Sequence, residues 1–336
     1  MITIYDIAEK TGYSAPTVSK ALNGTGYLNS KTREKILRAA DEMGYQPNMV
    51  ARTLTTKKSH LIGVIYDDSK MKQGFDHPLF GGLLNRFRSQ VENAGYDIIF
   101  LSRQFKMSYT DHSRYRSVDG VVIINPDDDG IEELAAIHEA GIPCVSTNNY
   151  IPGICTVVTE NEKCGYEGTQ YLISCGHRKI AFLAGPINKY SPAALERYKG
   201  YRRCLSDYGL GCDPQLFKEC SFWHAQAGYD GIAEIYRRTN DFSAVFCADD
   251  LLAFGVMQYA EEHRIVMPDQ LSIIGFDDDR AASFCRPRLT TFSQNRVQIA
   301  DLAAEILLQL IVEIPSPQMV RVPAALIMRE SVKNLL

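Results

Sequence analysis

The sequence predicts an all-α head followed by an α/β body made of two doubly wound, parallel-sheet sub-domains. Three observations carry this reading. Residues 1–58 hold three short helical patterns separated by glycine- and serine-containing breaks. From residue 61 the texture changes to short apolar runs alternating with helical stretches, as buried parallel strands with crossover helices require. Seven such runs are too many for one comfortable sheet, and 336 residues exceed what one small core organises.

In the head, Ile4, Ile7 and Ala8 recur at helical spacing up to Thr11, and Gly12-Tyr13-Ser14 breaks the pattern. Ser14 reads as an N-cap. Pro16 fits the first turn, where its missing N–H has no helical partner. The second helix runs to about Leu22, with Val18, Ala21 and Leu22 inward. Ser30 reads as the cap of a third helix over 31–43. Ile36, Leu37 and Ala40 form its inner face, and Gly44 is its left-handed stop. Pro47 opens a segment, 48–55, of moderate helical character, and 56–60 reads as linker. In the body, the strand runs are 61–66, 97–101, 120–124, 143–146, 180–184, 244–248 and 271–276. Ligands of such folds sit at the carboxyl ends of strands, and a cleft between two sub-domains is the natural site.

Composition narrows the function classes. Hydrophobic residues at 45% and charged residues at 23% are ordinary for a soluble globular chain. No apolar run approaches the roughly 20 residues of a membrane span. The N-terminus lacks the basic-then-apolar layout of a secretion signal, so a cytoplasmic location is expected and no membrane partner. Nine scattered cysteines without a Cys-x-x-Cys pair argue against a disulfide framework or zinc knuckle. The seven histidines do not cluster, so no metal is expected. No dinucleotide fingerprint, phosphate loop, nucleophile elbow or His-Glu-x-x-His occurs, and neither a cofactor nor an enzymatic activity is expected. The net charge of −4 hides an asymmetry. Residues 1–58 carry nine Lys/Arg against five acids, and the remainder 27 against 35. A basic head on an acidic body suits a polyanionic partner.

Two helices joined by a tight glycine-containing turn let the second enter a DNA major groove. Its leading residues are small and polar, so its backbone can come close. Ser14, Thr17 and Ser19 offer hydroxyls to phosphates, and Lys20 reaches a base edge or a phosphate. An ordinary helical hairpin accounts for these residue types equally well.

The stretch from Asp6 to Asn23, with Lys31-Thr32-Arg33-Glu34-Lys35-Ile36 and Gly44-Tyr45-Gln46-Pro47-Asn48, resembles the head of the lactose-repressor family without a gap through residue 60. The resemblance implies a helix-turn-helix domain over 1–46. In it Ala15, Pro16 and Lys20 face the bases, and Tyr5, Ser14, Thr17, Ser19 and Asn23 hold the DNA backbone. Ala15 and Pro16 lack hydrogen-bonding side chains, so apolar contact, as with a thymine methyl, replaces polar readout. Residues 47–60 resemble the family's hinge helix and linker, with Asn48, Ala51, Arg52 and Leu54 on DNA. Leu54 matches the leucine that wedges into the minor groove and kinks the duplex.

The resemblance continues to about residue 330 and implies a periplasmic-binding-protein-like core. Its first sub-domain is 61–161 plus 292–321, and its second is 162–291 plus 322–336. Arg197, in Arg197-Tyr198-Lys199-Gly200-Tyr201, matches the arginine that grips effector hydroxyls or a carboxylate. Trp223, the only tryptophan, matches an aromatic stacked on ligand. Asp249 and Asp277 match hydroxyl acceptors, Asn148, Asn149 and Glu160 match polar positions near the sub-domain crossover, and Phe80 walls the pocket. Each has a plainer reading: Arg197 on a surface acid, Trp223 in the core, Asp277 capping a helix. The 66–76 loop is longer than usual, Glu160 stands where the family has Asp, and the C-terminus lacks a leucine-heptad tail, so a homodimer is expected. The implied function is a sequence-specific regulator, a repressor on a pseudo-palindromic operator of double-stranded DNA, controlled by a mono- or disaccharide effector. The alternatives are a purine- or protein-responsive regulator of the same fold, or a sugar-binding protein without DNA function.

Overall fold

The computed structural model describes residues 2–46, 58–66, 75, 78–102, 107–126 and 130–336. The predicted hinge, with Asn48, Ala51, Arg52 and Leu54, lies outside the described residues, as does most of the 66–76 loop. The chain forms two compact units, 1–60 and 61–336.

Among the described residues the first unit has three helices. Helix α1 (Ile4–Thr11) starts with a reciprocal cap, in which Asp6 N–H donates to Thr3 Oγ1 at 3.4 Å and Thr3 N–H donates to Asp6 Oδ2 at 2.7 Å. Gly12, at φ +76°, ends it in a conformation that side chains resist. Helix α2 (Ala15–Asn23) starts from Ser14, whose Oγ accepts from Thr17 N–H, with Pro16 in the first turn as expected. Helix α3 (Ser30–Glu42) begins one residue before the expected start. The Asn29 side chain, not that of Ser30, accepts from Lys31 N–H. Ile7, Val18, Ala21, Ile36 and Ala40 close the small core. Leu37, expected inside, is 44% exposed, because Ile36, Ala39 and Ala40 already form the buried stripe of α3.

The second unit contains two six-stranded sheets. The first, entirely parallel, has the order β11 (Met319–Val322), β5 (Cys155–Thr159), β4 (Cys144–Thr147), β3 (Gly120–Ile124), β1 (Leu61–Tyr66), β2 (Asp97–Phe100). Val122 and Ile124 pack into one core and Val121 and Ile123 into another, so successive side chains of β3 feed opposite faces. Helices α4 (Pro78–Asn93) and α11 (Arg296–Ile311) pack together beside this sheet, while α5 (Tyr109–Tyr115) packs against α6 (Ile131–Glu139). The second sheet has the order β12 (Ala324–Ile327), β10 (Thr290–Gln294), β9 (Ser272–Phe276), β8 (Ala244–Cys247), β6 (Ile180–Ala184), β7 (Phe217–Glu219). Only β12 runs antiparallel. Its helices are α7 (Asn161–Ser174), α8 (Pro192–Asp207), α9 (Ala225–Arg238) and α10 (Asp250–Glu262).

The chain passes between the two sheets three times: after Thr159, after Gln294 and after Val322. The expected boundary at 291/292 therefore cuts through β10, which stays in the second sheet up to Gln294. The boundary at 321/322 removes the last residue of β11. Both strands are polar or short, which hid their ends.

Candidate effector cleft and DNA-reading head

Between the two sheets lies a cleft of about 560 Å3 counted with its open mouth. Its walls follow the strand ends. Asn125 comes after β3, Asn148 and Asn149 after β4, Asn161 after β5, Asp249 after β8, Asp277 after β9, and Gln294 closes β10. Strand carboxyl ends are where this class of sheet leaves room for a ligand. Asn125, Asn148 and Asp277 turn there with φ of +48°, +70° and +112°. Such values cost free energy in side-chain-bearing residues, and they gather where strain positions a functional group.

Arg197, on α8, is the buried cation of the cleft. Its Nε donates to Asn161 Oδ1 at 2.9 Å, Nη1 donates to the Ala248 carbonyl, and the guanidinium lies 3.4 Å from the centroid of Phe276. Burial pulls its pKa below the ordinary value, against the pull of Asp277. Asp249 caps α10 by accepting from Leu252 N–H at 2.7 Å. The capping role considered for Asp277 thus falls to Asp249. Burial, and then the neighbouring Asp277 carboxylate, push Asp249 up to about 8. Burial lifts Asp277 to about 6, opposed by Arg197 and by Gln294, whose Nε2 donates to Asp277 Oδ1 at 2.5 Å. Gln294 Oε1 in turn accepts from Thr159 Oγ1. Two acids and one arginine thus share a largely buried wall lined by amides. Hydroxyl groups complement such a wall well, because each can donate to a carboxylate and accept from the guanidinium.

The apolar part is Leu79, Phe80, Val158, Ala193 and Trp223. Trp223 lines the cleft and also packs against the core of the second sheet. Asn149 is buried at the rim, where its carbonyl accepts from Ser146 Oγ at 2.8 Å and Thr156 Oγ1 at 3.1 Å. Seven of the eight expected residues, Phe80, Asn148, Asn149, Arg197, Trp223, Asp249 and Asp277, line this one cleft. Glu160 does not. It heads α7 and its carboxylate accepts from Lys163 Nζ at 3.1 Å, while its neighbour Asn161 turns inward to Arg197. Asn125, Asn161, Ser191 and Gln294 were missed. The inward amide of Asn161 has no signature in a single sequence beyond its place beside Glu160.

In the head, Ser14, Pro16, Lys20 and Tyr5 are exposed, and Ala15, Thr17, Ser19 and Asn23 are half-buried. Ser14 Oγ and Thr17 Oγ1 are 2.8 Å apart, and Asn23 Nδ2 donates to Ser19 Oγ at 3.2 Å, so these side chains are held in place along one helix. Tyr27, in the turn after α2, is almost fully exposed.

Residues 3–48 match the family described as bacterial regulatory proteins, lacI family, and residues 169–332 match the periplasmic binding protein-like domain. The HTH-type transcriptional regulator DegA of Bacillus subtilis (strain 168) is 30% identical over 312 residues, covering 90% of this chain and 88% of DegA. The chain belongs to the lacI family. The HTH-type transcriptional repressor PurR of Haemophilus influenzae (strain PittEE) is 28% identical, with both chains fully covered. Among solved structures, a transcriptional regulator CelR–cellobiose complex superposes with a TM-score of 0.71 at 26% identity, covering 98% of this chain and all of that one. As a lacI-family member, the chain is a DNA-binding transcriptional regulator. Helices α1 and α2 are its helix-turn-helix, and the two-sheet body is its periplasmic-binding-like domain. No helix among the described residues is long and apolar enough to cross a membrane.

Proposed function

We propose that this lacI-family regulator is a repressor that binds a pseudo-palindromic operator as a homodimer and is released when a mono- or disaccharide occupies the cleft. The observation that carries the effector reading is the convergence of Arg197, Asp249, Asp277 and the amides of Asn125, Asn148 and Gln294 on the one cleft that Trp223 also lines. Carboxylates and an arginine fork address ring hydroxyls, and the indole face suits the C–H face of a pyranose. The CelR–cellobiose complex supports the same class of ligand. On DNA, Ala15 and Pro16 at the start of α2 and Lys20 in its last turn meet base edges, while Tyr5, Ser14, Thr17, Ser19 and Asn23 hold phosphates. Residues Asn48, Ala51, Arg52 and Leu54 enter the minor groove between half-sites. Effector binding draws the two lobes of the body together and changes the dimer interface, so effector and operator affinities are reciprocally coupled.

The deciding experiment titrates the protein with mono- and disaccharides, sugar phosphates and purines while following the emission of Trp223. A saturable change with one sugar, and release of operator by that sugar, is the expected result. A response confined to a purine would replace the sugar reading.

A further inference from the structure

A side-chain cluster on the rim of the cleft, used by none of the contacts above, joins the two lobes directly. Tyr150 follows Asn148 and Asn149 out of the first sheet, and Glu196 precedes Arg197 on α8. The Tyr150 hydroxyl donates to Glu196 Oε1 at 2.8 Å. Arg321, on β11, donates from Nη1 to Glu196 Oε2 at 2.9 Å and from Nη2 to Oε1 at 2.8 Å. The same Nη2 reaches the Tyr150 oxygen at 3.1 Å. Alongside, Tyr150 N–H donates to the Tyr190 carbonyl at 2.7 Å.

Tyr150 and Arg321 belong to the first lobe, and Glu196 and Tyr190 to the second. One carboxylate of the second lobe thus receives three hydrogen bonds from the first, two of them as a bidentate fork. The Glu196 side chain is only 13% exposed and that of Arg321 38%. Burial alone would lift the Glu196 carboxyl. Arg321 and Tyr150 outweigh it and hold the group below its ordinary value. The three bonds to Glu196 and the backbone bond from Tyr150 to Tyr190 cross between lobes, so opening the cleft at this rim breaks them together and strands a largely buried carboxylate. The cluster also shares α8 with the cleft. Fixing Glu196 against the first lobe fixes Arg197, the next residue, relative to Asn148 and Asn149.

We propose that Glu196, held by Arg321 and Tyr150, is a closure latch that keeps the lobes together over the cleft and positions Arg197 and Trp223 against the first lobe. None of its bonds needs an effector atom, so the latch sets the fraction of molecules that close without one.

The test uses the full-length protein with no effector and no DNA. Trp223 is the only tryptophan, so acrylamide quenching of the emission reports access to the cleft directly. We expect Glu196→Gln and Arg321→Gln each to raise the quenching constant about twofold or more, with the double variant no higher than the larger single, as partners in one interaction require. Tyr150→Phe, which keeps the ion pair, should raise it less. Unchanged quenching in both charge variants, or effects that simply add in the double, would overturn the latch. Should either charge variant fail to fold, Tyr150→Phe decides, and unchanged quenching there has the same meaning. A negative result leaves the sugar reading intact, and a silent sugar panel leaves the latch intact.

Discussion

The indole of Trp223 occupies the space that a side chain on Gly185 would need. A Cβ on that glycine would overlap Cζ2, Cε2 and Cη2 of the ring. Gly185 directly follows β6, so the absence of a side chain at the end of one strand lets the aromatic wall of the cleft lie where it does. Gly185→Ala should push the ring outward. The expected result is a shifted tryptophan emission maximum and effector affinity weakened about tenfold or more, equivalent to ~1.4 kcal/mol, with a stability loss of roughly 1–3 kcal/mol from overpacking. An unchanged spectrum would contradict the packing.

Asp249 and Asp277 should make the protein less stable as pH rises. Their pKa values stand near 8 and 6 in the folded chain, above the ordinary 3.8. Between the unfolded and folded values the unfolded chain has released protons that the folded chain keeps, so these two groups lower stability across pH 4–8 and add nothing further above it. Asp277→Asn removes the penalty, and Asp249→Asn does so while keeping an N-cap. Thermal melts of each variant should match the parent near pH 4. Near pH 8.5 each variant should melt higher, with a stability gain of ~3 kcal/mol for Asp277. Both should lose effector affinity.

Arg197→Lys keeps the charge but not the fork that reaches Asn161 and the Ala248 carbonyl, nor the face against Phe276. Calorimetric titration with the effector found by the panel should show affinity reduced about 10- to 100-fold, or ~1.4–2.8 kcal/mol. Equal affinity would remove Arg197 from the ligand-gripping set.

In the head, Lys20→Ala should lower operator affinity and relax discrimination among operator variants, because Lys20 meets a base edge. Affinity lost uniformly across variants, with the slope of log affinity against log salt reduced by about one, would place it on a phosphate instead. Ser14→Ala removes the acceptor for Thr17 N–H. It should destabilise the head by ~1 kcal/mol, as read from hydrogen exchange in α2.

How much could be read from the chain depended on how local the cause was. The helix pair announces itself through Gly12, Ser14 and Pro16, each acting within one turn. The central strands were visible because both their faces are buried, which leaves continuous apolar runs such as Ile180–Ala184. Strand β10 was invisible because its Thr290, Thr291 and Gln294 are buried as hydrogen-bonding partners, with Thr291 donating to Asp250 and Gln294 bridging Thr159 and Asp277. Edge strands β7, β11 and β12 are short and half-exposed, so no period stands out. In the cleft, Arg197 and Trp223 were legible through resemblance, whereas the exchange of Glu160 for Asn161 depends on which side of α7 faces Arg197, a tertiary fact.

The three passages between the sheets fix the order in which this protein can become complete during synthesis. The helix-turn-helix has all three of its described helices once α3, which ends at Glu42, has emerged. The first lobe, although it begins at Leu61, waits for α11 and for β11, which ends at Val322. A nascent chain therefore carries a finished reading head long before it carries a finished sensor. A product cut short between residues 60 and 296 keeps the residues that address DNA but lacks α11 and β11, which complete the first lobe. Such a fragment would retain the means to touch the operator's bases without the means to be told to leave them.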